Sequence, residues 1–174
     1  MFWAMAMNLL HRRHCSSAGW EKAVANQLLP WALQHVELGP RTLEIGPGYG
    51  ATLQALLGLT ASLTAVEVDN SMVERLNRRY GQRARIIRGD GTQTGLPDDH
   101  FTSVVCFTML HHVASAQLQD QLFAEAYRVL QPGGVFAGSG RCAVAAVSPN
   151  THRRHLHSDR PGGPPRSAAS CGIH

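Results

Sequence analysis

The sequence predicts an α/β fold on a doubly wound, mainly parallel sheet. Three observations predict it: strand-like apolar runs alternate with stretches of helical periodicity, the first run opens into three glycines at every second position, and the fourth run is almost continuously apolar. Residues 21–36 carry a helical apolar face (Val24, Leu28, Trp31), expected to bend at Pro30, where the ladder lacks an N–H. Residues 41–45 alternate as a strand, and Gly46, Gly48 and Gly50 then force a tight turn before the periodic stretch 51–57. A second strand is read at 63–68. Ser71-Met72-Val73-Glu74 has the spacing of a capping box, so a helix is expected to start at Ser71, with Met72, Leu76 and Tyr80 on one face. Residues 84–87 read as a third strand and 103–107 as a fourth, nearly unbroken in apolar residues as a strand covered on both faces is. Leu118, Leu122, Ala126 and Val129 mark a long helix, expected to stop at Gln131-Pro132-Gly133-Gly134 before a fifth strand at 135–137. Such alternation means right-handed βαβ units.

At 174 residues, 44% of them hydrophobic, the chain has material for one domain with its own core. Three regions are expected: an N-terminal extension over 1–19, the α/β domain over 20–140 and a tail over 141–174. The opening ten residues are apolar but too few to span a bilayer, and they run without a basic leader into His11-Arg12-Arg13-His14. No secretion signal or membrane span is read. Cys15, Cys106, Cys142 and Cys171 show neither zinc nor disulfide spacing, so the expected setting is reducing and cytoplasmic, with no metal. Cys106 reads as a small core residue, and His11, His14 and Cys15 as solvated surface. The net charge of +4 belongs to the tail, where Arg141, Arg153, Arg154, Arg160 and Arg166 face Asp159 alone; the preceding 140 residues hold eleven basic and eleven acidic side chains. Basicity confined to a segment without periodicity is no nucleic-acid footprint on the domain.

Ligands of doubly wound sheets bind outside the carboxyl ends of the strands. Those ends are acidic here: Glu44 in the first turn, Glu67 and Asp69 closing the second strand, Asp90 after the third, and no Lys or Arg between Glu44 and Glu67. Glu67 follows Gly46 at about the spacing, some 20 residues, at which a Rossmann carboxylate reaches a ribose hydroxyl, so a nucleoside is the expected guest. Gly46, Gly48 and Ala51 also satisfy the loose dinucleotide pattern, but a pyrophosphate is disfavoured beside Glu44. S-adenosylmethionine, with its sulfonium and ammonium, suits the acids better.

Leu43-Glu44-Ile45-Gly46-Pro47-Gly48-Tyr49-Gly50 resembles the first motif of class I S-adenosylmethionine-dependent methyltransferases. Further segments match in order: Val66-Glu67-Val68-Asp69; Gly89-Asp90-Gly91 with Leu96-Pro97-Asp98-Asp99-His100-Phe101; Met109-Leu110-His111-His112-Val113; and Arg128-Val129-Leu130-Gln131-Pro132-Gly133-Gly134. The likeness covers about 20–139 and is nearest the small-molecule branch. It implies a Rossmann-like sheet in the order 3-2-1-4-5. It also implies cofactor contacts: Gly46, Gly48 and Gly50 under the methionine moiety, Glu44 at its ammonium, Glu67 at the ribose hydroxyls and Asp90, with Gly91, at the adenine end. Phe107, Thr108 and Leu110 would line the pocket. The reaction implied is direct displacement at the methyl carbon, served by alignment at about 3 to 3.5 Å and by desolvation.

No catalytic residue is assigned; adjacent His111 and His112 cannot both face one site comfortably. Thr108-Met109-Leu110-His111 stands where amino-methylating nucleic-acid enzymes of the family carry Asn/Asp-Pro-Pro-Tyr/Phe, and no Pro-Cys nucleophile is present. The expected acceptor is therefore a small or lipid-like molecule rather than nucleic acid. The departure comes after Ser139: relatives continue with a helix and two more strands, whereas 140–174 contains Pro161-Gly162-Gly163-Pro164-Pro165 and few apolar residues. The reading there is a disordered tail, the usual last two strands missing through truncation or a frame shift, and weak solubility and turnover. Two alternatives stand beside an active enzyme, a degenerate cofactor-binding domain and an NAD-dependent oxidoreductase. Oligomeric state is left open.

Overall fold

The computed structural model describes residues 9–139. Its elements in order are α1 (Leu9–Cys15), α2 (Ala18–Ala23), a π-helical turn (Val24–Leu28), α3 (Leu29–Ala32), β1 (Arg41–Ile45), α4 (Ala51–Leu56), β2 (Ser62–Glu67), α5 (Asn70–Tyr80), β3 (Arg85–Arg88), β4 (Phe101–Phe107), a 3₁₀ turn (Leu110–His112), α6 (Ala116–Val129) and β5 (Leu130–Ser139). The five strands form one parallel sheet in the order β3-β2-β1-β4-β5, as predicted. The readings made of 140–174 fall outside the described residues. Among the described residues no helix is long and apolar enough to cross a membrane.

Period-two alternation splits the core into two layers. Leu43 and Ile45 of β1 with Val104 and Cys106 of β4 pack under Leu122, Ala126 and Val129 of α6. On the opposite face Ala65, Val105 and Phe107 pack under Leu53 and Leu56 of α4, Leu76 and Tyr80 of α5, and Val24 and Leu29 of the N-terminal helices. Cys106 is a core residue, its thiol pushed up to about 12 by burial and, secondarily, by the nearby Glu44 charge.

Three local expectations are corrected. The helix expected to bend at Pro30 instead widens into a π turn just before it, the Leu29 N–H reaching back to the Val24 carbonyl. A proline ring collides with the carbonyl four residues earlier, and an extra residue in the turn relieves that collision. Helix α5 begins at Asn70 and its cap is Asp69, whose Oδ1 accepts from the N–H groups of Ser71 (2.8 Å) and Met72 (3.1 Å). Glu74 is thereby left to accept from Asn70, at 2.9 Å, rather than closing a capping box on Ser71. Helix α6 ends at Val129, and Gln131-Pro132-Gly133-Gly134 lies inside β5 as an irregularity: Phe101 pairs with Leu130 and Ser103 with Val135. The glycines supply the extra length and Gly133 the positive φ of +80° that such a bulge requires. Helix α1 leads into α2 through Ser17, whose side chain caps Trp20 at 3.1 Å.

The loop between β3 and β4 is clasped to α6. Glu125 accepts from the Thr94 N–H (2.7 Å) and hydroxyl (2.5 Å), and Arg128 forks onto Glu125 (2.7 and 2.8 Å), the Leu96 carbonyl (2.8 Å) and Asp98. The Arg128 guanidinium, with Thr94, lowers the Glu125 carboxyl to about 2.

Candidate functional site

The carboxyl ends of β1, β2, β3 and β5, with Thr108 just past β4, border a cleft of about 1080 Å³, where the crossover rule puts a ligand. Its floor is the turn after β1. Gly46, Gly48 and Gly50 have φ of +70°, +54° and +85°, a conformation L side chains rarely adopt. Their surroundings differ. A Cβ on Gly46 would lie 2.4 Å from Met109 Cγ, and one on Gly50 would lie 2.8 Å from Leu76 Cδ2 and 2.9 Å from Tyr80 Cε2, whereas one on Gly48 would meet nothing within 4 Å. Gly48 is therefore bare toward the open cleft, and Gly50 is bare so that α5 can pack.

Glu67 closes β2 beside this turn and is buried, yet it borders the cleft. Its Oε2 accepts from the Gly48 N–H and its Oε1 from the Asp69 N–H, each at 3.0 Å. A carboxylate has about four acceptor positions, so lone pairs remain on both oxygens. Asp90, exposed beyond β3, accepts from the Thr92 N–H and hydroxyl, both at 2.8 Å and both on Oδ1. Gly91 lies against Ile45, where a Cβ would come within 2.5 Å of the isoleucine Cγ2. Thr108, at φ +57°, follows β4 and borders the cleft with Met109.

The structure thus brings Gly46, Gly48, Glu67, Asp90, Gly91 and Thr108 to one cleft, and leaves Glu44, Gly50, Phe107 and Leu110 beneath its surface. Phe107 shares the face of Val105 by strand alternation and is packed in the core; Leu110 opens the 3₁₀ turn and is buried with Val113 and Leu122. Glu44 is 1% exposed. Its Oε1 accepts from the Thr52 hydroxyl, its Oε2 has no partner, and burial pushes its carboxyl up to about 8 against the partial relief from Thr52.

Sequence reasoning passed over several cleft residues. Arg12, His14 and Cys15 of α1 line it, as do Trp20, Leu28 and Trp31. His14 is exposed, as read, with its ring 5.2 Å from Trp20, whereas Cys15, read as surface, is half-buried. Arg12 Nε donates to Tyr49 Oη at 3.2 Å, and the Arg75 guanidinium stands 5.5 Å from the centre of the same ring. No spacing signals a pair 37 positions apart. Thr52 had a usable signal, its place in the first turn of the helix that follows the glycines. Among the described residues no group of three His, Cys, Asp or Glu side chains is placed to share a metal ion.

Residues 43–138 match the family described as the methyltransferase domain. The chain belongs to that family. Among related proteins, this methyltransferase-domain chain is 32% identical over 104 residues to a Mycolicibacterium smegmatis protein named "Probable S-adenosylmethionine-dependent methyltransferase", covering 60% of this chain and 39% of the relative. It is 44% identical over 54 residues to ribosomal RNA small subunit methyltransferase A of Cupriavidus taiwanensis, 31% of this chain and 20% of that one. With sterol 24-C-methyltransferase of Yarrowia lipolytica it shares 27% identity over 107 residues, 58% of this chain and 27% of the relative. The chain thus spans well under half the length of these relatives. Among solved structures, a protein of Pyrococcus horikoshii OT3 superposes with a TM-score of 0.63 at 20% identity, over 71% of this chain and 59% of the other. DesVI of Streptomyces venezuelae gives 0.58 at 19%, over 69% and 50%. At such identities the superpositions speak for the fold alone.

Proposed function

We propose that this methyltransferase domain binds S-adenosylmethionine and transfers its methyl group to a small or lipid-like acceptor. The observation that carries the reading is the Glu67 carboxylate, held by two backbone N–H groups at the rim of a turn whose central glycine is bare toward the cleft. The residues fit the cofactor on this chain's own features: open space over Gly48, spare lone pairs on Glu67 and on Asp90 Oδ2, and a buried acid with an unpartnered oxygen beneath the turn. S-adenosylmethionine, when bound, supplies a methyl group activated on a sulfonium. In this reading Glu67 accepts the ribose hydroxyls and Asp90 the adenine amino group, while Gly46 and Gly48 let the methionine moiety approach the backbone. Thr108 and Met109 form the wall beyond. The apolar surfaces of Trp20, Leu28 and Trp31 on the cleft favour an apolar acceptor. With no base or nucleophile assigned, the chain's contribution is orientation and desolvation.

Calorimetric titration tests this. S-adenosylmethionine binds wild type, and Glu67→Ala loses about 1 to 3 kcal/mol from the missing acceptor. Equal affinities remove Glu67 from the site. NADH titrated alongside tests the competing nucleotide, and a methyl-transfer screen with apolar small acceptors and with RNA separates the acceptor classes; methylation confined to RNA overturns the acceptor proposed here.

A further inference from the structure

The described residues keep two acids buried beside each other with no cation to neutralise them. Glu44 pairs in register with Ala65, and Glu67 follows Ala65 by two residues, so strand alternation puts both carboxylates on the face covered by α4 and α5. Both are buried, 1% and 7% exposed. The ion pairs among the described residues, Arg79–Glu21, Arg128–Asp98 and Arg128–Glu125, include neither. Two buried like charges without a counter-ion cannot both ionise at ordinary pH. Their donors differ. Both Glu67 oxygens accept from backbone N–H groups, which can only donate. Glu44 has one hydroxyl, which can donate or accept, and an oxygen with no partner.

We propose that the ligand-free protein stores one proton on Glu44 and releases it when a cationic ligand enters the cleft above. The release step rests on the cofactor reading given above; the stored proton does not. The other titratable groups that feel Glu44 are Glu67 at the end of β2, Cys106 on β4 and Tyr80 on α5, and none is a cation. The thiol and the phenol both titrate above their ordinary ranges because they are buried, and stay neutral near pH 7. Bringing a positive charge into this environment favours the ionised acid, and the displaced proton leaves to solvent.

Chemical denaturation of the ligand-free full chain between pH 5.5 and 7.5 reads the stored proton directly. The unfolded chain has lost that proton by this pH, so the folding constant of wild type falls by up to about tenfold per pH unit relative to Glu44→Gln, a neutral isostere. Coincident slopes overturn the proposal. Titration of S-adenosylmethionine at pH 7 in phosphate and in Tris, whose heats of protonation differ, then reads the release: about one proton per ligand for wild type and none for Glu44→Gln. Equal heats in the two buffers overturn the release. Absence of binding heat in either buffer fails the cofactor reading and the release with it, and the stability slope still decides the stored proton.

Discussion

Two glycines of one turn make opposite demands on a substitution. A Cβ at Gly48 projects into open space, so Gly48→Ala costs only the left-handed backbone, about 1 to 2 kcal/mol. A Cβ at Gly50 runs into Leu76 and Tyr80 as well, and α5 must move. We expect Gly50→Ala to lose about 2 to 4 kcal/mol in urea denaturation, the range of a strained backbone with core overpacking, and Gly48→Ala to lose about half of that. Gly48→Val reverses the order for the ligand: it fills the bare floor, and S-adenosylmethionine affinity falls by more than tenfold, whereas Gly50→Ala binds as wild type once folded. Equal effects on affinity would contradict the division of labour between the two. At this scale the spacing of the glycines was legible in the sequence, but their purposes were not, because what a missing Cβ avoids belongs to residues 26 to 63 positions away.

Among the elements, α5 and α6 carry the clearest tests. Asp69→Ala removes the cap from α5 and should lower stability by about 0.5 to 2 kcal/mol, with Ser71→Ala affecting it less; thermal melts of the two variants decide between them. The Ser71 hydroxyl and the Ser71 and Met72 N–H groups hold the Asp69 carboxyl below its ordinary range, so the cap's electrostatic contribution is present above that range and lost as pH falls through it. The clasp of Thr94, Glu125 and Arg128 follows the same sign more strongly. With the folded Glu125 near 2 and the unfolded acid near the usual value of about 4.3, its stabilisation is complete above the latter and disappears between the two. Melting curves from pH 2 to 5 should therefore fall more steeply for wild type than for Glu125→Gln. Arg128→Ala leaves a largely buried carboxylate with Thr94 alone, a loss of about 1 to 3 kcal/mol given that the arginine is itself partly exposed.

Across the whole molecule two acids of opposite sense shape the stability profile. Glu125 favours the fold as pH rises from 2 toward 4; Glu44, raised to about 8 by burial, favours it below the unfolded carboxylate range and progressively less as pH climbs toward 8. Denaturation midpoints should accordingly peak on the mildly acidic side, and Glu44→Gln should move that maximum toward neutrality. The chain by itself determined the succession of strands and helices along it, since alternation of apolar periods is a local property that each segment carries wherever it lies; the order of strands in the sheet came through the family resemblance. It also determined the acidic ends of β1 and β2 and the glycine turn between β1 and α4. What only tertiary structure decided was depth and partnership: that Glu44, written in the same motif as Gly48, is sealed under the turn beside Glu67, that Phe107 faces the core, and that α1 brings Arg12 to Tyr49. Burial and contact depend on which distant segments close over a residue, and packing, rather than local period, sets them.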